Sequence, residues 1–171
     1  SITTQINGYA TFTGVQYADE LLSFKLKVDA SEKGGGWTPA LVLRAQGTDS
    51  YVSSGIDGYI LCMGMNGLEL YRYVNGVRNV IYGDFYENST GVNIDCKQGD
   101  TIKNSAWTFD ANKVAEHDIK IGAVSDGGDV RILLYVDGKE VINYLDKAEN
   151  GAFSNAGYFG IIGRGETWTL T

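Results

Sequence analysis

His117–Asp146, HDIKIGAVSDGGDVRILLYVDGKEVINYLD, is the stretch on which the fold turns. An apolar run, IKIGAV, leads into the loop SDGGD; RILLYV follows, then Asp137-Gly138, then KEVINYL. Glycine tolerates the positive φ that a two-residue hairpin turn demands, so the stretch reads as three successive antiparallel strands. Upstream, LLSFKLKVD sets Leu22, Phe24, Leu26 and Val28 against Ser23, Lys25 and Lys27, the period of a strand with one buried and one wet face. SEKGGGWTP, with three consecutive glycines before Trp37, reads as a mobile surface loop ahead of the strand ALVLRAQ. Near the C-terminus NAGYFGII reads as a strand, and GRGETWTLT as a short charged loop at Arg164 and Glu166 before a closing strand that packs Trp168.

A further hairpin is expected where GYILCMGM meets Asn66-Gly67 and returns as LELYRYV to Asn75-Gly76. With a two-residue turn at Asn66-Gly67, Met65 faces Leu68, Met63 faces Leu70 and Leu61 faces Arg72. Gly64 then faces Glu69, Cys62 faces Tyr71 and Ile60 faces Tyr73. Residues opposite each other share a face, so one face is a core of Met and Leu while the other, non-core face carries Glu69, Tyr71 and Tyr73. Tyrosines beside a carboxylate suit a sugar, which offers CH groups to an aromatic ring and hydroxyls to a charged acceptor. Tyrosines also simply fit strands, and both readings stand.

The chain has 171 residues, about one domain, so 1–171 is taken as a single unit. Gly numbers 23, Pro 1 and Tyr 11, a balance of turn formers and aromatics that suits many short strands: the class is all-β. A net charge of −7 argues against a grip on nucleic acid or anionic lipid, both of which rely on clustered Lys and Arg. No apolar stretch approaches the roughly 20 residues of a membrane span, and SITTQINGYATF lacks the basic start and apolar core of a signal peptide. Cys62 and Cys96 allow either one disulfide or two free thiols, and zinc finds no CxxC pair or Cys/His cluster.

The order FKLKVD, LRAQG, HDIKIGA, YVDGKEVINYLD and GYFGI resembles the concanavalin A-like, laminin-G-like sandwiches. Within these it is most similar to carbohydrate-binding modules of the family 66 type, attached to levanases, and to the related domain of keto-glycoside hydrolases. Tyr82 to Asp110 carries none of the resemblance. The likeness implies a two-sheet antiparallel β-sandwich of jelly-roll form, extracellular residence, a structural calcium in many members, and ligand contacts from one sheet face and its loops. Arg44 stands where such families have an arginine in LRAQ, a side chain suited to bidentate hydrogen bonding.

Catalysis is poorly provided for. The single histidine, His117, opens a strand, and the alternate ExDxE acids of sandwich-fold glucanases are missing. For calcium, the SDGGD loop offers Asp126 and Asp129, residue types equally at home in a metal-free turn. The sequence therefore reads as a non-catalytic module that binds a polysaccharide or oligosaccharide and is linked to catalytic modules in a secreted parent. Trp37, Tyr71 and Tyr73 are its candidate ring contacts, and Arg44 and Glu69 would orient hydroxyls, with Tyr51 in the loop SYVSSGIDGY as a further candidate. A laminin-G-like protein-interaction or adhesin domain and a jelly-roll glycoside hydrolase or lyase are the alternatives.

Overall fold

A computed structural model describes residues 2–29, 40–47, 57–64, 67–87, 92–95 and 114–170, with side chains for Tyr9 and for 14–26, 40–47, 57–63, 68–82 and 116–163. Among the described residues eleven strands run in chain order: β1 (Ile2–Tyr17), β2 (Leu22–Asp29), β3 (Ala40–Ala45), β4 (Gly58–Gly64), β5 (Gly67–Val74), β6 (Val77–Glu87), β7 (Val92–Asp95), β8 (Val114–Asp126), β9 (Asp129–Val136), β10 (Lys139–Asp146) and β11 (Gly157–Leu170). They form a seven-stranded sheet in the order β1-β11-β3-β4-β5-β6-β7 and a four-stranded sheet in the order β10-β9-β8-β2. Both are antiparallel, so the chain is the all-β sandwich its alternation called for. Among the described residues no helix is long and apolar enough to cross a membrane.

The two Xaa-Gly turns behave as their chemistry requires. Asn75 and Gly76 have φ of 49° and 75°, Asp137 and Gly138 of 52° and 76°. Positive φ at both central residues gives the turn the twist of its flanking strands, and each closes on a direct pair, Val74 with Val77 and Val136 with Lys139. The expected register of the β4–β5 hairpin needs correction. Gly64 pairs with Gly67, so residues 65 and 66 make the connection; Met63 meets Leu68, Cys62 meets Glu69 and Ile60 meets Tyr71. The pairing slips by two residues, which leaves every side chain on its expected face. The expected loop at Arg164 and Glu166 is also absent: β11 runs through it, with Gly165 as the extra residue of a bulge between Arg164↔Asn7 and Glu166↔Ile6.

The main core lies between the sheets. Leu41, Leu43, Tyr59, Leu61, Met63, Leu68, Leu70, Phe159 and Ile161 from one sheet meet Leu26, Ile119, Ile121, Ile132, Leu134, Val136 and Tyr144 from the other. A polar clasp closes one end of this layer. Asp146, buried on β10, accepts the Tyr59 hydroxyl at 2.8 Å and Arg72 Nη1 at 3.0 Å, and the Phe153 N–H donates to the Tyr59 oxygen at 3.0 Å. Each buried polar atom of the clasp thus meets a partner, the condition under which such groups are tolerated in a core.

Candidate functional site

β3 bends where it would otherwise run straight on. Arg44 has φ of 50°, and the pairing with β11 skips from Gly160↔Val42 to Tyr158↔Ala45. The bulge turns the Arg44 side chain into the end of the sandwich. There Nε and Nη2 donate to the Ala123 carbonyl at 3.1 and 2.8 Å, Nη1 to that of Phe153 at 2.7 Å, and Nη2 also to the Ala18 carbonyl and the Ser125 hydroxyl. Only 3% of the residue is exposed. The arginine expected to orient hydroxyls is instead a bolt joining β3, β8, the β1–β2 connection and the loop before β11. Gly157 makes room for it, since a Cβ there would lie 2.4 Å from the Arg44 carbonyl carbon.

Strand register assembles the outer face of the seven-stranded sheet into rows. Tyr9, Ile162, Ala40, Cys62 and Glu69 follow one another across five strands. Gly160, Val42, Ile60, Tyr71 and Val80 form the next row. Tyr158 beside Ala45, and Gly58 with Tyr73 and Arg78, make a third. Ala40, Val42, Ala45, Ile60, Cys62, Tyr71 and Ile162 are buried together here, with Tyr9, Tyr73 and Tyr158 half-buried around them. A face expected to be wet is therefore a second apolar layer.

That layer changes the roles of the expected site residues. Glu69 and Tyr71 occupy the expected face but are 3% and 1% exposed, and the Tyr71 hydroxyl donates to Glu69 Oε2. Burial, with the negative charges beside it, drives the Tyr71 phenol far above its usual range, so it stays a donor. The same desolvation raises the Cys62 thiol and holds it protonated, and Cys62 is a free cysteine. Tyr73 stays accessible, edge-on to Tyr71 at 6.4 Å, and the Arg78 guanidinium lies 5.0 Å over the Tyr71 ring. Burial pushes the Tyr9 phenol up to about 12.

The third row holds two of the three half-buried tyrosines of this face. Tyr158 and Tyr73, three strands apart and so about 14 Å from each other, stand on either side of Ala45 and Gly58, which bear a methyl group and no side chain. Two half-buried rings thus bracket a low stretch of sheet. Its rim is polar: Gln46 donates to the Arg44 and Ala156 carbonyls, and Asp57 Oδ1 accepts the Asn75 N–H at 2.6 Å. Arg78 ends the row. Tyr158 and Arg78 escaped the sequence reading, yet the rule that places Val77 opposite Val74 also places Arg78 opposite Tyr73. Trp37 and Tyr51 lie outside the described residues, as does Cys96.

Asp126 and Asp129, the expected calcium ligands, do not fit that ion as they stand. Asp126 Oδ2 accepts Arg131 Nη2 at 2.8 Å, while Asp129 takes the Ala148 N–H at 2.8 Å and Lys147 Nζ at 2.9 Å. Those donors hold the Asp129 carboxyl below its usual range. Two cations already neutralise the pair, where calcium needs a free cage of oxygens. Among the described residues no three His, Cys, Asp or Glu side chains are gathered as a metal would require.

No protein-family model and no curated protein sequence matches the chain. Among solved structures it is similar to the carbohydrate-binding module CBM66 from Bacillus subtilis, at 17% identity and a TM-score of 0.58, over 99% of this chain and 82% of that one. A homodimeric agglutinin from chicken liver aligns at 12% identity over 95% and 96% of the two chains, with a TM-score of 0.47. The carbohydrate recognition domain of Emp46p aligns at 6% identity over 91% and 71%, with a TM-score of 0.49. At such identities the first likeness shows the fold, a two-sheet jelly-roll sandwich, and the other two add no argument.

Proposed function

We propose that this chain is a non-catalytic carbohydrate-binding module that holds a saccharide across the third row of the seven-stranded sheet. One observation carries the reading: Tyr158 and Tyr73 are half-buried rings flanking Ala45 and Gly58, with Arg78 at the end of the row. Rings fixed by their own packing lose little freedom when a sugar settles on them; Arg78 donates to its hydroxyls, and the carboxylate and amide oxygens of the rim accept from them. The fold shared with a protein named as a carbohydrate-binding module supports the same conclusion. Glu69, engaged by Tyr71, acts from beneath by fixing that ring. Affinity for so polar a ligand falls in the millimolar to micromolar range, about −4 to −8 kcal/mol. Linked catalytic modules and residence outside the cell complete the proposal, because a weak site is most useful when tethered.

The test is retardation of the chain in native gels cast with a panel of polysaccharides, run with and without a calcium chelator, beside an assay for released reducing sugar. Retardation without release is the expected result, and its loss in chelator would restore calcium to the account. Release of sugar would show an enzyme. No retardation on any glycan would favour a protein-interaction domain, for which the exposed Val77 and Val80 on β6 are the starting surface.

A further inference from the structure

A β-sandwich leaves four edge strands, each a row of unpaired backbone donors and acceptors that invites another strand. Among the described residues they are β1 and β7 in one sheet and β10 and β2 in the other. Three carry the usual deterrents. β7 is four residues long and ends on Asp95. β2 holds Lys25, Lys27 and Asp29 within eight residues, and β10 opens on Lys139 and Glu140. β1 has none: its 16 residues, ITTQINGYATFTGVQY, include no Asp, Glu, Lys, Arg or Pro. Among the described residues β1 pairs only with β11, so no described strand covers its other edge. The one blunted part is Thr13–Gln16, four residues that bulge opposite a single one, Tyr158, between Phe12↔Phe159 and Tyr17↔Gly157.

From this open run we infer that β1 pairs antiparallel, over Ile6–Phe12, with β1 of a second copy, joining two seven-stranded sheets into one. The choice of occupant follows from the other edges. Pairing with β7 would satisfy four residues at most and would build open head-to-tail chains, and β2 and β10 bring charges that find no opposite on β1. Two copies of a chain carrying −7 approach most easily through a segment without charge. A two-fold axis near Tyr9 sets Asn7 of one copy against Thr11 of the other and closes the contact. Residues opposite each other in an antiparallel pair share a face, so the outer faces of both copies, each with its Tyr9, look the same way.

Sedimentation velocity from micromolar to submillimolar concentration tests this, with a reversible dimer as the expected result. By strand alternation Asn7 and Thr11 stand level with Tyr9, so Asn7→Lys with Thr11→Lys sets like charges opposite each other at both crossings. The dissociation constant should rise roughly tenfold or more. Asn7→Glu with Thr11→Glu should do the same, and an equimolar mixture of the two folded variants should restore the dimer. Amide exchange on the unaltered chain supplies a second reading, with protection within Ile6–Phe12 that grows with concentration. A chain monomeric throughout overturns the self-pairing and gives the edge to a strand of another protein or to none. A dimer that both variants leave intact, or exchange at β1 that ignores concentration, overturns it equally.

Discussion

β3 and β9 make the sharpest contrast in the molecule. Every side chain of β3 is buried, whereas β9 alternates buried and half-buried positions along its whole length. β9 belongs to a sheet with one dry face and one wet face, where Arg131, Asn143, Tyr135 and Glu140 satisfy one another. β3 lies in the middle of a sheet packed on both faces. A polar residue on the outer face therefore means different things in the two sheets: on the four-stranded sheet it is solvated, and on the seven-stranded sheet it is either buried and partnered, like Glu69, or part of a surface with built-in rigidity, like Tyr73.

The largest effect expected from this difference comes from matched truncations. Tyr71→Ala should cost about 3 to 5 kcal/mol, as a core aromatic does, because it empties a buried site and strips Glu69 of a donor. Tyr135→Ala, on the outer face of the other sheet, should cost less than about 1 kcal/mol. Urea unfolding compares the two directly, and equal losses would erase the contrast. Next, Gly157→Ala should destabilise by about 1 to 3 kcal/mol by pressing a methyl group onto the Arg44 backbone, seen as a lowered urea midpoint.

Binding separates the faces in another way. Tyr73→Ala and Tyr158→Ala should each weaken glycan binding by about 1 to 3 kcal/mol in titration calorimetry while the fold persists, and Tyr135→Ala should leave affinity unchanged. Loss of binding in the Tyr135 variant would move the site to the other sheet. The smallest effect concerns acid. The Asp137 carboxyl is held below its usual range first by His117, whose Nδ1 lies 2.7 Å from Oδ2, and by the Asp118 N–H. A depressed carboxylate pKa stabilises the fold above the unfolded value and loses that contribution as pH falls through the folded one. Asp137→Asn should therefore flatten the acid limb below about pH 4, by no more than a few tenths of a kcal/mol because the pair is exposed. An unchanged limb would show that this contact contributes nothing to stability.

What the sequence disclosed depended on how local the cause was. LSFKLKVD and the turns at Asn75-Gly76 and Asp137-Gly138 carry their instructions within a few residues, and the structure follows them. The β4–β5 connection slipped because Gly64, Asn66 and Gly67 are all turn residues, and choosing among them takes the whole ladder. Burial of Glu69 and Tyr71 depends on a second layer gathered from β3, β4, β5 and β11, which no single strand announces. The inward turn of Arg44 follows from a bulge, and one skipped residue reverses the alternation on which a facing argument rests. β1 sends no clear strand signal of its own, since Gly8 and Gly14 interrupt its alternation and its polar residues are uncharged.

The pairing of Ile2 with Leu170 bears on how the domain responds to force. Residues 2 and 170 are rung partners at one end of the β1–β11 ladder, so tension applied at those two points opens it one rung after another. Such a geometry peels at low load, whereas strands pulled lengthwise past each other must break many rungs at once. The same closeness means that a short linker joining the two points would disturb neither sheet.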